Sequence, residues 1–215
     1  MVSLWSNTQP RFSSKEYPYP TLLPENILGA RSHRVPDSPL CSNGTLRDVL
    51  HDSEFSEENI NILQCMQDLS NFRSVGEHNE SLKSAPKLLR AEIAESDPYS
   101  LLRIVRLAAK IYVGAFKTPP IPFSSTVNKT AVRQLSRALE SEVNDATWDH
   151  YPGIFSWILL TAAAASEADG SRFPFLQFLL MGIGLGSGYG WFREFSLAIH
   201  TFRNVKHRAE GILVT

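Results

Sequence analysis

The sequence predicts an all-α fold: an irregular multi-helix bundle behind an extended, Pro-rich N-terminal arm. Three observations lead there. From Thr45 onward, apolar residues recur at steps of three and four in one segment after another. No segment shows a convincing alternation of period two, the mark of a half-buried strand. Six of the 13 prolines (Pro10, Pro18, Pro20, Pro24, Pro36 and Pro39) precede residue 40, where they break helices and remove backbone donors. The expected organisation is an extended or disordered arm over residues 1–44 and a single helical domain over 45–215. The arm's aromatics Trp5, Phe12, Tyr17 and Tyr19 are candidates for packing onto the body.

Each helix has its own signals. Ser56 followed by Glu57 and Glu58 places an N-cap ahead of acids in a first turn, and Ile62, Met66, Leu69 and Phe72 continue one face. This reads as a helix of about 14 residues. Leu88, Leu89 and Ile93 suggest a short helix stopped at Ser96-Asp97-Pro98. Asp97 as cap and Pro98 at a first helical position open the most apolar-faced helix, Leu101 to Ala115, whose remaining polar stripe is Arg103, Arg106 and Lys110. So little polar surface puts this helix at the centre of the core, with its basic stripe toward water or a groove. Pro119, Pro120 and Pro122 end it.

Ser125 or Thr126 caps the next helix, with Val132, Leu135, Leu139 and Val143 on one face and Lys129, Arg133 and Arg137 on another. Trp148 to Gly153 reads as a turn containing Pro152. A buried helix follows from Ile154 to about Ser166, too short to span a membrane. Asp169-Gly170 stops it, an apolar helix starts near Phe173, and a final helix from Gly190 to Arg208 carries Phe192, Phe195, Ile199 and Phe202.

Charge and cysteine usage exclude some classes. With 21 Lys+Arg against 22 Asp+Glu, the formal charge is -1, which argues against bulk electrostatic binding to nucleic acid or anionic lipid. The N-terminus has no basic start followed by an apolar run, so an intracellular location is expected. Two cysteines, Cys41 and Cys65, are too few for a disulfide framework or a four-cysteine zinc site.

Motifs for chemistry fail on spacing. The run Gly182 to Gly190 holds five glycines but follows no strand, and Ser187, Tyr189 and Trp191 stand where a dinucleotide fingerprint needs its third glycine. It reads as a flexible connection between apolar helices. Ser187 lies between Gly186 and Gly188, but a nucleophile elbow needs glycine two positions to either side, where Leu185 and Tyr189 stand, and Cys65 beside Met66 reads as a small buried hydrophobe. Among the histidines, His200 and His207 share a helix face but lie about 10 Å apart along it, too far to ligate one ion. The acids Glu140, Glu142, Asp145 and Asp149 and the rows Arg103/Arg106/Lys110, Lys129/Arg133/Arg137 and Arg203/Lys206/Arg208 read as solvated faces. No catalytic, cofactor-binding or metal-ligating residue is assigned, and no cofactor is expected.

The order of the helices carries a resemblance. Leu101 to Tyr112, a proline-containing loop, the Leu135/Leu139 helix, a Trp148 turn, Ile154 to Ala163 and a final Trp191-Phe192-Arg193-Glu194-Phe195 segment resemble the C-terminal part of the fungal-specific transcription factor domain, over about residues 55–210. That is the helical regulatory region found downstream of a binuclear zinc cluster. The resemblance implies a nuclear regulatory or dimerisation domain that works through a protein partner or self-association, with a small-molecule effector as a further option. A zinc cluster needs six cysteines, so neither Cys41 nor Cys65 carries over as a ligand, and direct sequence-specific DNA binding by this chain alone is not expected. The chain is also short for a complete regulator of that kind, which suggests a truncated regulator or a stand-alone domain. The expected function is therefore non-enzymatic and transcription-associated. The alternative is a small helical enzyme or metabolite-binding protein with a pocket beside residues 182–190, Trp157, Tyr189 and Trp191.

Overall fold

The computed structural model describes residues 37–41, 45–51, 53, 55–71, 85, 89, 101–142, 151–167 and 192–211. The chain's contacts divide it into Met1–Arg34 and Val35–Thr215, and all the described residues belong to the second unit. Among them are six α-helices and no strand: α1 (Leu46–Leu50), α2 (Glu57–Ser70), α3 (Leu101–Gly114), α4 (Lys129–Glu142), α5 (Pro152–Ala165) and α6 (Phe192–Ala209). The all-α expectation holds for the described residues. The arm over residues 1–36, the Leu88/Ile93 helix apart from Leu89, the helix near Phe173, the glycine run 182–190, and Tyr189 and Trp191 lie outside the described residues.

Local signals set several helix starts. Ser56 is extended and its hydroxyl accepts a hydrogen bond from the Asn59 amide, with Glu57 and Glu58 in the first turn of a 14-residue helix, as the sequence predicts. Thr45 caps α1 in the same way through the Asp48 amide. Ser125 caps a 3₁₀ turn, Thr126–Asn128, that leads directly into α4. The Asn128 side chain secures this entry by donating to the carbonyls of Phe123 (2.9 Å) and Pro122 (3.3 Å).

One boundary differs from expectation. Pro152 and Gly153 belong to the first turn of α5 and not to a preceding turn. Proline at the first helical position loses nothing, because that amide has no intrahelical acceptor, and its fixed φ suits the helix. Tyr151 at the N-cap makes no side-chain capping bond. The carboxylate of Asp37 supplies the cap instead, accepting from the Gly153 amide at 3.3 Å and the Ile154 amide at 3.5 Å. Residues 37–41, which the proline distribution assigns to the arm, are thus buried against the helical body.

α3 is the hub, packing against α2, α4 and α5, while α6 meets α5 and α2. Its Ile104, Val105, Ala108, Ala109, Ile111 and Tyr112 are buried. α5 is apolar almost all round, and 12 of its 14 residues are buried. A helix without a polar face must be enclosed on all sides. α4 is amphipathic instead: Ala131, Val132, Leu135, Ala138 and Leu139 face inward, and Arg133, Gln134, Arg137 and Glu140 are exposed. Among the described residues, no helix is long and apolar enough to cross a membrane.

Candidate functional site

The polar groups buried in this body are the natural place to look for chemistry, because burial makes an unsatisfied polar group or charge costly. Gln67, on α2, is buried and bridges three groups. Its Oε1 accepts from the Leu46 amide at 3.1 Å and from Gln64 Nε2 at 3.1 Å, and its Nε2 donates to the Cys41 carbonyl at 2.8 Å. It joins α1 and the 37–41 segment to α2. Cys41 and Cys65 are both buried free thiols, and Cys65 occupies the core position read for it.

The expectation that Arg103, Arg106 and Lys110 form a stripe toward water or a groove is corrected at its middle member. Arg106 is buried, and its Nη2 donates to the Glu58 carboxylate on α2. Burial holds its guanidinium below the usual range. The physical reason is that α2 lies on the face of α3 where Arg106 emerges, so the cation meets an acid from the neighbouring helix. Lys110 is exposed and Arg103 is half-buried.

A second corrected row is Arg203/Lys206/Arg208. Lys206 is buried, and its Nζ lies 2.8 Å from Glu167 Oε2, just beyond α5, and 3.4 Å from Glu210 Oε1, one turn on. Arg208 is exposed and Arg203 half-buried. Only the third row reads as a surface row. Arg133 and Arg137 are exposed on α4 and Lys129 is half-buried, with Val127 72% exposed just before them. The rows therefore do not form one continuous basic surface, because two have buried, ion-paired central members.

At the junction of α3, α5 and α6, Tyr112 is the centre of an aromatic cluster. Its ring centroid is 5.4 Å from Phe116, 5.7 Å from Trp157, 6.1 Å from Phe123 and 6.3 Å from Phe202. Its hydroxyl shares a 2.9 Å hydrogen bond with Ser70 Oγ at the end of α2. Burial pushes this hydroxyl well above its ordinary value, and the Ser70 bond offsets part of that. The folded state therefore holds the proton more tightly than the unfolded chain. The associated stability is intact below about pH 10 and is lost as pH rises from there toward the folded-state value. Unfolding free energies from denaturant titrations between about pH 8 and about pH 11 should, above about pH 10, fall in the wild type by up to about 1.4 kcal/mol per pH unit more than in Tyr112→Phe.

Two buried polar atoms on α5 have no hydrogen-bond partner: Trp157 Nε1 and Thr161 Oγ1. The two residues are four apart and so share a helix face. Other helix hydroxyls bond back to the carbonyl four residues earlier, as Ser156 does to Pro152, Ser70 to Met66 and Ser166 to Ala162. Thr161 departs from that pattern. No family model, curated protein or solved structure matches this chain.

The remaining sequence candidates do not come together. His200 is exposed and His207 half-buried on α6. Glu140 is exposed on α4, while Asp145 and Asp149 lie outside the described residues. Among the described residues, no three His, Cys, Asp or Glu side chains are grouped so as to hold a metal ion. Sequence reasoning missed the inter-element ties of Asp37, Gln67, Arg106 and Lys206. No local signal marks Arg106 or Lys206, since Lys110 has equally apolar sequence neighbours, Ala109 and Ile111, and is exposed.

Proposed function

We propose that this chain is a non-enzymatic regulatory domain, associated with transcription, that acts through protein contacts or by sensing an effector. The non-enzymatic part is supported by how the interior polar groups are engaged. Arg106 and Lys206 are locked to carboxylates, Gln67 to backbone and Gln64, and Asp37 to the amides of α5. Groups held in this way connect one element to another and leave little reactive freedom. The outward row of α4, with Arg133, Arg137 and the exposed Val127, is the described surface best suited to a protein contact. The transcriptional part rests on the sequence resemblance alone. Direct DNA reading is not included in the proposal, since only two cysteines are present. The test is where a fluorescently tagged chain accumulates: nuclear enrichment is the expected result, and exclusion from the nucleus would overturn the assignment.

A second reading, a metabolite-binding protein with a pocket near residues 182–190, is favoured by the unpartnered Trp157 indole and Thr161 hydroxyl. A ligand bonded to both groups would raise the melting temperature of the wild type in a thermal-shift screen of small uncharged metabolites. The same compound would raise that of Thr161→Val less. A screen without stabilising compounds would count against this reading.

A further inference from the structure

α4 is held by its inner face, where Ala131, Val132, Leu135, Ala138 and Leu139 are buried, so the opposite face is fixed toward solvent. Its entry is pinned too, because the Asn128 side chain donates to the Phe123 and Pro122 carbonyls. On the outward face Thr130, Arg133, Gln134 and Arg137 are exposed, and Val127 is exposed just before them. Charge along this stretch is of one sign. Between residues 98 and 139 the sequence has seven of the chain's 21 Lys+Arg and none of its 22 Asp+Glu, which leaves 14 cations against 22 acids elsewhere. The near-neutral total thus hides a segregation of charge. Some of these cations are engaged inside the fold, as Arg106 is with Glu58. Arg133 and Arg137 are exposed and form no ion pair among the described residues. The acid next along the row, Glu140, accepts from Ser136 Oγ at 3.1 Å.

We infer that this face of α4 is a docking site for an acidic helical segment of a partner protein. The inference rests on the reading of the chain as a domain that acts through protein contacts, and it names the partner's chemistry. Arg133 and Arg137 are four apart, so they share a helix face at about 6 Å along the axis. A guanidinium takes a carboxylate through two parallel hydrogen bonds. Val127 lies about 9–10 Å before Arg133, since the 3₁₀ turn rises about 2 Å per residue and the helix about 1.5 Å. The matching helix therefore carries two carboxylates four residues apart, with an apolar residue about seven positions from the nearer one. Nucleic acid fits less well. The two arginines neutralise too few phosphates for useful affinity at physiological salt. No aromatic ring stands among the exposed residues of this face for a base to stack on, and a phosphodiester gives Val127 no apolar contact.

Fluorescence anisotropy with the full chain tests the site. The probes are two labelled helical peptides, one with Leu, Glu and Glu at positions i, i+7 and i+11 and one with that order reversed. One of them is expected to bind saturably, and at least about fivefold more weakly in about 500 mM salt than in about 50 mM. Arg133→Glu with Arg137→Glu should weaken binding at least about tenfold, and the milder Arg133→Gln with Arg137→Gln at least about threefold. Val127→Asp should also weaken it at least about threefold. Lys110→Glu with Arg208→Glu makes the same change in net charge at exposed residues of α3 and α6, and should leave affinity within about twofold. No saturable binding of either peptide would overturn the docking site, as would an equal loss in the Lys110/Arg208 variant. A labelled single-stranded DNA of about 20 nucleotides that binds more tightly than both peptides, and is released by the Arg133→Glu/Arg137→Glu change, would overturn the acidic-protein assignment. Because the components are purified, the outcome is separate from that of the localisation test. Peptide binding without nuclear enrichment would uphold the docking site and overturn the transcriptional reading alone.

Discussion

Trp157→Ala is expected to destabilise the protein by about 3–5 kcal/mol, the range for deleting a large aromatic side chain from a core. Trp157 is fully buried, and its ring meets Tyr112 edge-on at 5.7 Å. Tyr112 in turn touches Phe116, Phe123 and Phe202. The loss would therefore be felt where α3, α5 and α6 meet. Trp157→Phe should behave differently. It keeps most of the aromatic volume and removes an indole N–H that has no partner. An unsatisfied buried donor costs about 1–3 kcal/mol, which offsets much of the lost packing, so this variant should stay within about 1 kcal/mol of the wild type. Urea denaturation of the two variants checks the pair. If Trp157→Phe costs as much as Trp157→Ala, the indole N–H is engaged within the protein, and the metabolite-binding reading loses its support.

The second large effect concerns Lys206. Lys206→Met keeps the side-chain length and removes the charge, leaving Glu167 and Glu210 near one another without the ammonium that joins them. Removing one partner of a buried ion pair costs about 3–5 kcal/mol; with both carboxylates partly solvated, about 2–4 kcal/mol is expected here. Replacing all three groups, as Lys206→Met with Glu167→Gln and Glu210→Gln, should recover most of that loss. The triple variant leaves no unpaired charge, and glutamine amides at these partly solvated positions carry far less burial cost than the two carboxylates would. The comparison separates a structural role from a functional one. If the cluster only holds α6 to the end of α5, the triple variant keeps whatever regulatory activity the wild type has.

Much of the fold was legible because its signals are local. Ser56 with Glu57 and Glu58 caps α2, and the Leu135/Leu139 spacing of α4 matches a helix with one buried face. Pro119 lies beyond the end of α3. The misreadings are tertiary. The stripe of Arg103, Arg106 and Lys110 has helical spacing, but spacing cannot reveal that Glu58 on α2 lies opposite its middle member. Likewise Asp37 caps a helix more than a hundred residues away. Nothing beside Pro152 in the sequence announces that cap. The same limit governs function: the expected role comes from an order of helices, and such an order specifies a fold far more strongly than an activity.

The most direct measurement is a reporter assay in which residues 1–215 are fused to a heterologous DNA-binding domain. The regulatory proposal predicts a reproducible change in transcription of the reporter, in either direction, that Trp157→Ala abolishes and Trp157→Phe preserves. A fusion that is stably expressed and bound at the promoter, yet leaves transcription unchanged, would contradict it.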